Sequence, residues 1–299
     1  MKDHVTTSHK AGSVALIGRP NVGKSTLLNT LIGLKLSITS AKPQTTRSRI
    51  RGILSRPDMQ IVFVDTPGFQ TRFKNVLNKA MNRGVNIARD EVDVLALVVE
   101  AGKWGPEDQS LFESLAAEGK SLLIIANKSD KINQVEMLKF LKEVGSKPKV
   151  DAIIPVSAQK RKGMEVLLSA IRSRLPDGAP VYSPEEFTDR SARDLAADFL
   201  REKLFRLLGD EIPYGVATVI DSFEDKENLV RVHASIIVDK EAHKGIVIGK
   251  SGEKLKAVAT AARKDMEVLL GKKVHLETWV KVRKGWQDDP RQMKTLGYD

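Results

Sequence analysis

The chain has 299 residues with 41% hydrophobic content, enough for two packed domains and too apolar for a disordered or fibrous sequence. Its 49 Lys+Arg against 38 Asp+Glu give a formal net charge of +11, which points to a polyanionic partner. No cysteine is present, which excludes a disulfide framework and a Cys-based zinc site; residues 1–12 lack an apolar signal core, and no apolar run approaches the ~18–20 residues that span a bilayer. A cytoplasmic protein is expected, with peripheral attachment to a membrane left open.

The first predicted element is the strand SVALIG, followed by GRPNVGKST at 18–26. Four residues separate Gly18 from Gly23, the spacing that lets a loop close a ring of backbone amides around a β-phosphate before Gly-Lys-Ser/Thr opens a helix. Arg19, Pro20, Asn21 and Val22 form the turn. Lys24 is set to reach the β- and γ-phosphate oxygens, Ser25 offers a hydroxyl to Mg²⁺, and Thr26 continues the helix. Gln44-Thr45-Thr46-Arg47 lies between that helix and the strand RIRGILS, where a switch is expected to close over the γ-phosphate. Thr46 is favoured over Thr45 as the second protein ligand to magnesium.

The strand MQIVFVD ends in Asp65-Thr66-Pro67-Gly68 at the carboxyl end of the sheet, where Asp65 can hold magnesium through water and the Gly68 amide can meet the γ-phosphate. Phe69 follows, where Ras-type enzymes carry the glutamine that orients the attacking water. A phenyl ring cannot hydrogen-bond water, so slow intrinsic hydrolysis, raised by a partner, is expected.

VDVLALVVE, SLLIIANK and AIIPVSA contain fully apolar runs, as in strands buried on both faces of a parallel sheet. The segments between, such as VLNKAMNRGVNIA and GMEVLLSAIRSRL, have helical spacing, so the pattern is that of a doubly wound α/β domain. Asn127-Lys128-Ser129-Asp130 closes one of these strands. The Asp130 carboxylate can accept hydrogen bonds from guanine N1 and N2, donors that adenine lacks, and the Lys128 stem can lie over the purine. Ser157-Ala158 sits where GTPases put the last base-contacting loop, with the Ala158 amide toward guanine O6.

The first domain is expected over 1–175 and a linker over 176–189, where Pro176, Gly178, Pro180 and Pro184 interrupt any period. Residues 190–299 read helix, strand, strand, helix, helix, strand, with 12 basic and 5 acidic residues in 240–284. There GIVIGKSG has only three residues between Gly245 and Gly249, one too few for a nucleotide loop. A bare G-x-x-G arises by chance about once or twice in a chain this long, and Gly102-Lys103-Trp104-Gly105 is another copy. Context separates them: Gly249-Lys250-Ser251-Gly252 lies between two helices, the order of a type II KH domain, whose loop clamps a single strand of nucleic acid. Lys250 would meet phosphate with Ser251 and Lys254 beside it, and Ile246, Val247 and Ile248 would begin an apolar wall for bases. Trp279 and Trp286 are candidate base-stacking residues, with core packing favoured for Trp279.

GRPNVGKS and QTTR, the ordered motifs over 18–158, VIGKSG, AARKDM at 261–266, HLETWVKV and GWQDD together resemble the Era GTPase family, in its Era and TrmE-like branch, over nearly the whole chain. The resemblance implies GTP/GDP and Mg²⁺ as ligands, binding to the 3′ end of 16S ribosomal RNA during 30S subunit assembly, and association with the inner membrane face. It also puts Asn21 where related GTPases coordinate a K⁺ ion that acts like an arginine finger, with Arg47 or Arg49 as alternatives. Two other roles compete: an RNA chaperone that uses nucleotide structurally, and a peripheral-membrane cell-cycle or metabolic regulator, which would call for a strongly amphipathic basic helix that is not evident.

Overall fold

The computed structural model describes residues 9–40, 42, 45, 47, 49–68, 76–208 and 215–296. They fall into two compact units: one contains Met1–Ser37, Ser48–Gln70 and Arg83–Asp189, the other Ile38–Arg47, Thr71–Asn82 and Arg190–Asp299, each as far as it is described.

In the first unit the chain runs β1 (Lys10–Ile17), α1 (Lys24–Ile32), β2 (Ile50–Arg56), β3 (Met59–Asp65), α2 (Val76–Glu91), β4 (Val94–Glu100), α3 (Pro106–Ala116), β5 (Ser121–Asn127), α4 (Gln134–Gly145), β6 (Ala152–Pro155) and α5 (Met164–Arg172). The sheet order is β2-β3-β1-β4-β5-β6. β1, β3, β4, β5 and β6 pair in parallel, whereas β2 runs antiparallel to β3 at the edge. Only Pro57 and Asp58 join β2 to β3, too short a connection for the crossover that parallel strands need. In β4, Leu95, Leu97 and Val99 pack with residues of α2, α3 and α4, while Val94, Ala96 and Val98 are equally buried on the other face. Two-sided burial explains why these strands read as unbroken apolar runs rather than alternating ones.

Residues 176–189 are not a free linker. The Val181 and Tyr182 amides donate to Gln60 Oε1, Gln60 Nε2 donates to the Tyr182 carbonyl, and the Ile53 amide donates to the Phe187 carbonyl. Proline prevents a periodic element here but leaves carbonyls and neighbouring amides able to pair, so the segment is laid along the first unit.

The second unit contains α6 (Ala192–Leu207), β7 (Val216–Asp225), β8 (Leu229–Val238), α7 (Glu241–Ile248), α8 (Glu253–Leu270), β9 (Lys273–Val282) and α9 (Pro290–Thr295). β8 is central, antiparallel to β7 and parallel to β9. Inward residues of the sheet, among them Val230, Val232, Ala234 and Ile236, share a core with Phe199 and Leu204 of α6 and Val258, Ala262 and Met266 of α8. On the opposite face Trp286, Met293 and Leu296 cover Ala217 and Ile237.

The two tryptophans therefore reverse the expectation for Trp279. Trp286 is fully buried and donates its indole N–H to the Gly215 carbonyl at 3.2 Å, whereas Trp279 is 45% exposed and stacks on His233 with centroids 5.6 Å apart. Strand alternation is the cause, since Leu276, Val280 and Val282 face the core and their odd-numbered neighbours point the other way. Replacing Trp286 with Ala should cost about 3–5 kcal/mol in stability, read as a lowered denaturant midpoint with early loss of amide protection in β7 and β8; a shift below about 1 kcal/mol would mean that the tail does not support the sheet.

Candidate nucleotide site and nucleic-acid interface

Helix α1 opens on Gly23, which has φ 102° and offers no side-chain cap, and no acidic residue occupies its first turn. The helix thus turns its first-turn N–H groups and the positive end of its dipole to the carboxyl edge of the sheet, a ready anion site. A Cβ on residue 23 would lie 2.3 Å from Asn127 Nδ2, so contact with the neighbouring loop also requires glycine. Asn21 is exposed and left-handed, with φ 64°.

Lys24 lies beneath this loop, buried, and donates to the Gly18 and Arg19 carbonyls at 2.9 Å each. Burial pushes its pKa down to about 8, against the opposing pull of the Asp65 carboxylate. Burial likewise drives Asp65 above the usual carboxylate range, opposed by Lys24 and by hydrogen bonds from Ser25 and Ser37. Asp65 Oδ2 accepts from Ser25 Oγ at 2.6 Å and Ser37 Oγ at 2.7 Å, whereas Asp65 Oδ1 is buried with no hydrogen-bond partner among the described residues. A buried anionic oxygen without a donor, beside a serine hydroxyl, suits a hard divalent cation such as Mg²⁺. Thr66 is fixed by its hydroxyl to the Leu16 carbonyl at 2.8 Å, and after Pro67, Gly68 lies against Pro20 of the loop.

Asn127 is a clamp between loops: Nδ2 donates to the Val22 carbonyl at 2.9 Å, and Oδ1 accepts the Ala158 amide at 3.0 Å. The amide expected to face guanine O6 is thus engaged by Asn127, because a buried side-chain amide must satisfy its acceptor. Thr30 of α1 donates to the Ala158 carbonyl at 3.0 Å, a second tie to the same loop. Asp130 is exposed, and a 2.5 Å hydrogen bond from Ser157 holds its carboxyl below the usual range, ready as an acceptor. Lys128 takes a left-handed conformation with φ 62° and pairs with Glu100 at 2.6 Å, and Ser129 begins the short turn after it.

Thr46 and Phe69 lie outside the described residues, as does Gln44. Thr45 is buried, and its hydroxyl donates to the Lys42 carbonyl at 2.7 Å. Arg47 is buried, donating to the Val216 carbonyl at 2.8 Å above the Phe205 ring, and Arg49 pairs with Glu91 at 3.1 Å. Sequence reasoning missed Asp108, fully buried at the start of α3, which pairs with Arg19 at 2.6 Å and accepts the Gly105 amide at 3.0 Å. The G-P-E-D run signals a helix start and nothing more, because the partner Arg19 is 89 residues away.

At the other loop, α7 ends at Ile248, a single turn spans Lys250–Gly252, and α8 starts at Glu253. Gly249 has φ 73°, and a Cβ there would lie 2.7 Å from the Lys254 side chain. Lys250, Ser251 and Lys254 are exposed, as is Ile246, and Ile248 is half-buried. Val247 is corrected: it is fully buried in the core of the second unit and contributes nothing to an outer apolar wall, since one position along a helix turns the side chain by about 100°.

Residues 13–128 match the family model described as 50S ribosome-binding GTPase, and residues 211–287 match the KH domain. GTPase Era of Nitrosomonas eutropha is 49% identical over 98% of this chain and 99% of its own length, and that of Bordetella petrii is 46% identical over 98% and 99%. The chain belongs to the Era family of GTPases. Among solved structures, Era in complex with MgGDPNP and nucleotides 1506–1542 of 16S ribosomal RNA aligns at TM-score 0.93 with 37% identity, covering 97% of this chain and 99% of that one. An Aquifex aeolicus Era variant bound to GDP·AlF4⁻ aligns at TM-score 0.93 with 36% identity over the same shares. Among the described residues no helix is long and apolar enough to cross a membrane.

Glu100 orients the Lys128 of this Era-family site and yields a pH test. Burial alone would raise its pKa, but hydrogen bonds from Lys103 and Lys128 outweigh it and hold the carboxyl at about 2. A depressed pKa adds stability that is present above the unfolded value of 4.5 and is lost as pH falls through about 2. Glu100→Gln should therefore lower stability at neutral pH by about 1 kcal/mol or less, because Lys103 is largely solvated. Denaturant midpoints of the two proteins should converge on acidification; a constant gap would rule the ion pairs out as its cause.

Proposed function

We propose that this chain is a GTP-controlled RNA-binding switch of 30S subunit assembly, which binds and slowly hydrolyses GTP with Mg²⁺ and holds the 3′ end of 16S ribosomal RNA through its KH unit in the cytoplasm. The observation that carries this reading is the coexistence, on one chain alike from end to end to an RNA-bound Era, of a phosphate loop with a guanine-selective carboxylate and an open KH loop.

In this reading backbone amides of the 18–26 loop other than Pro20, which has no N–H, wrap the β-phosphate, and Lys24 leaves its two carbonyls to neutralise the β- and γ-phosphate oxygens. Ser25 and Asp65 hold Mg²⁺, with Thr46 as the further hydroxyl ligand; the ion lends charge neutralisation to the transferring phosphoryl group. The Gly68 amide meets the γ-phosphate. Asp130 reads guanine N1 and N2, Lys128 covers the base, and Asn127 and Ala158 frame it. Phe69 supplies no hydrogen bond to water, which keeps the intrinsic rate low until a partner completes the site. Asn21 is the candidate ligand for an activating K⁺, so turnover should be faster in K⁺ than in Na⁺. Lys250, Ser251 and Lys254 line the phosphate path at the KH loop, flanked by Ile246 and Ile248.

Fluorescence anisotropy of a labelled 16S 3′-end RNA tests the switch: affinity with a non-hydrolysable GTP analogue should exceed that with GDP, and equal affinities would reject it. Lys250→Glu combined with Lys254→Glu should weaken RNA binding about tenfold or more and flatten its salt dependence by about one unit of slope per lysine. RNA-free GTP hydrolysis by that variant should be unchanged. Asp130→Ala should erase most of the preference for GTP over ATP.

A further inference from the structure

Ser37 belongs to none of the motifs above, yet it is fully buried against the carboxylate assigned to the metal. Its hydroxyl and that of Ser25 donate to the same oxygen, Asp65 Oδ2. Its backbone is gripped from α1: Asn29 Oδ1 accepts the Leu36 and Ser37 amides at 2.9 and 2.8 Å, and Asn29 Nδ2 donates to the Ser37 carbonyl at 2.6 Å. Asn29 stands four residues after Ser25, on the same helical face. One helix therefore delivers two hydroxyls to one carboxylate oxygen, the first from its own serine and the second through an asparagine clamp.

The two hydroxyls have different prospects once nucleotide and cation arrive. On the reading above, Ser25 turns its oxygen to Mg²⁺ and leaves Asp65. A buried carboxylate stripped of its donors is costly and free to rotate away. Ser37, held by Asn29 at its own amide and carbonyl and at the Leu36 amide before it, has no reason to move. We propose that Ser37 is the positioning residue that keeps Asp65 in its metal-binding orientation, with Asn29 as the clamp that keeps Ser37 there.

The inference rests on Asp65 serving the metal, and the experiment separates the two claims. The full chain is titrated with a fluorescent GDP, once in excess EDTA and once across a series of free Mg²⁺ concentrations. Ser37→Ala should bind nucleotide in EDTA within about twofold of the parent, while the Mg²⁺ midpoint rises about tenfold, the scale of one lost hydrogen bond to a buried charge. Ser37→Thr, which keeps the hydroxyl, should restore most of the shift. Asn29→Ala should shift the midpoint the same way, and the double variant should be no worse than Ser37→Ala, because clamp and hydroxyl act in series. An unchanged midpoint in Ser37→Ala, or an equal loss of affinity with and without Mg²⁺, overturns the proposal. Asp65→Asn is the control: if it moves the midpoint and Ser37→Ala does not, only the role of Ser37 falls; if Asp65→Asn leaves the midpoint unchanged, the metal assignment falls with it.

Discussion

The first unit is organised around two opposite charges that the fold removes from water. Lys24 and Asp65 are both buried at the carboxyl edge of the sheet, and burial drives each toward neutrality, the lysine down and the aspartate up. Neither is held by a direct salt bridge to the other: Lys24 is occupied by backbone carbonyls and Asp65 by serine hydroxyls. The arrangement keeps two desolvated charges apart at a cost in stability that a phosphate chain and a cation would recover. Preorganisation of this kind explains why the loop must be short and glycine-rich, and why Asp65 ends a strand instead of standing on a mobile loop.

Around that centre, contacts between distant loops matter more than contacts within each motif. Asn127 joins the phosphate loop to the base loop, Asp108 grips Arg19, and Asn29 grips the segment leading to Ser37. Each motif was legible because phosphate and guanine chemistry demand fixed residue types at fixed spacing. The clamps were not, since their partners lie far away in sequence and an isolated Asn or Asp reads equally well as a turn or a helix cap. Asn127 shows the overlap: the motif was recognised, but its side chain spends its hydrogen bonds on Val22 and Ala158 and so ties those two loops together.

In the second unit the order of elements was readable from periodicity, and α8 occupies the whole of EKLKAVATAARKDMEVLL. The misreadings concern which way a side chain faces. Core packing was favoured over stacking for Trp279, yet the period of two in HLETWVKV, with Leu276, Val280 and Val282 inward, turns it outward. Trp286 lies beyond the strand in a tail with no period to orient it, and only the structure reveals that it caps Ala217 and Ile237. Segment 176–189 carries a related lesson: prolines announce the absence of periodic structure, and they say nothing about whether Gln60 will hold the chain in place.

On the proposed function, the two glycine loops meet phosphate by different physics. At the first, the lysine is buried under the ring of amides and has lost its hydration, so it gains most from a compact, highly charged phosphate group that enters the ring. At the second, Lys250 and Lys254 stay in water on the outside of the turn, where each can screen one charge of a passing backbone but cannot enclose it. An enclosed charge discriminates strongly and releases slowly, whereas solvated charges bind weakly one at a time and add up along a strand. On that reading, the single residue missing between Gly245 and Gly249 marks the difference between a site that would grip the end of one small molecule and a site that would lean on a continuous chain.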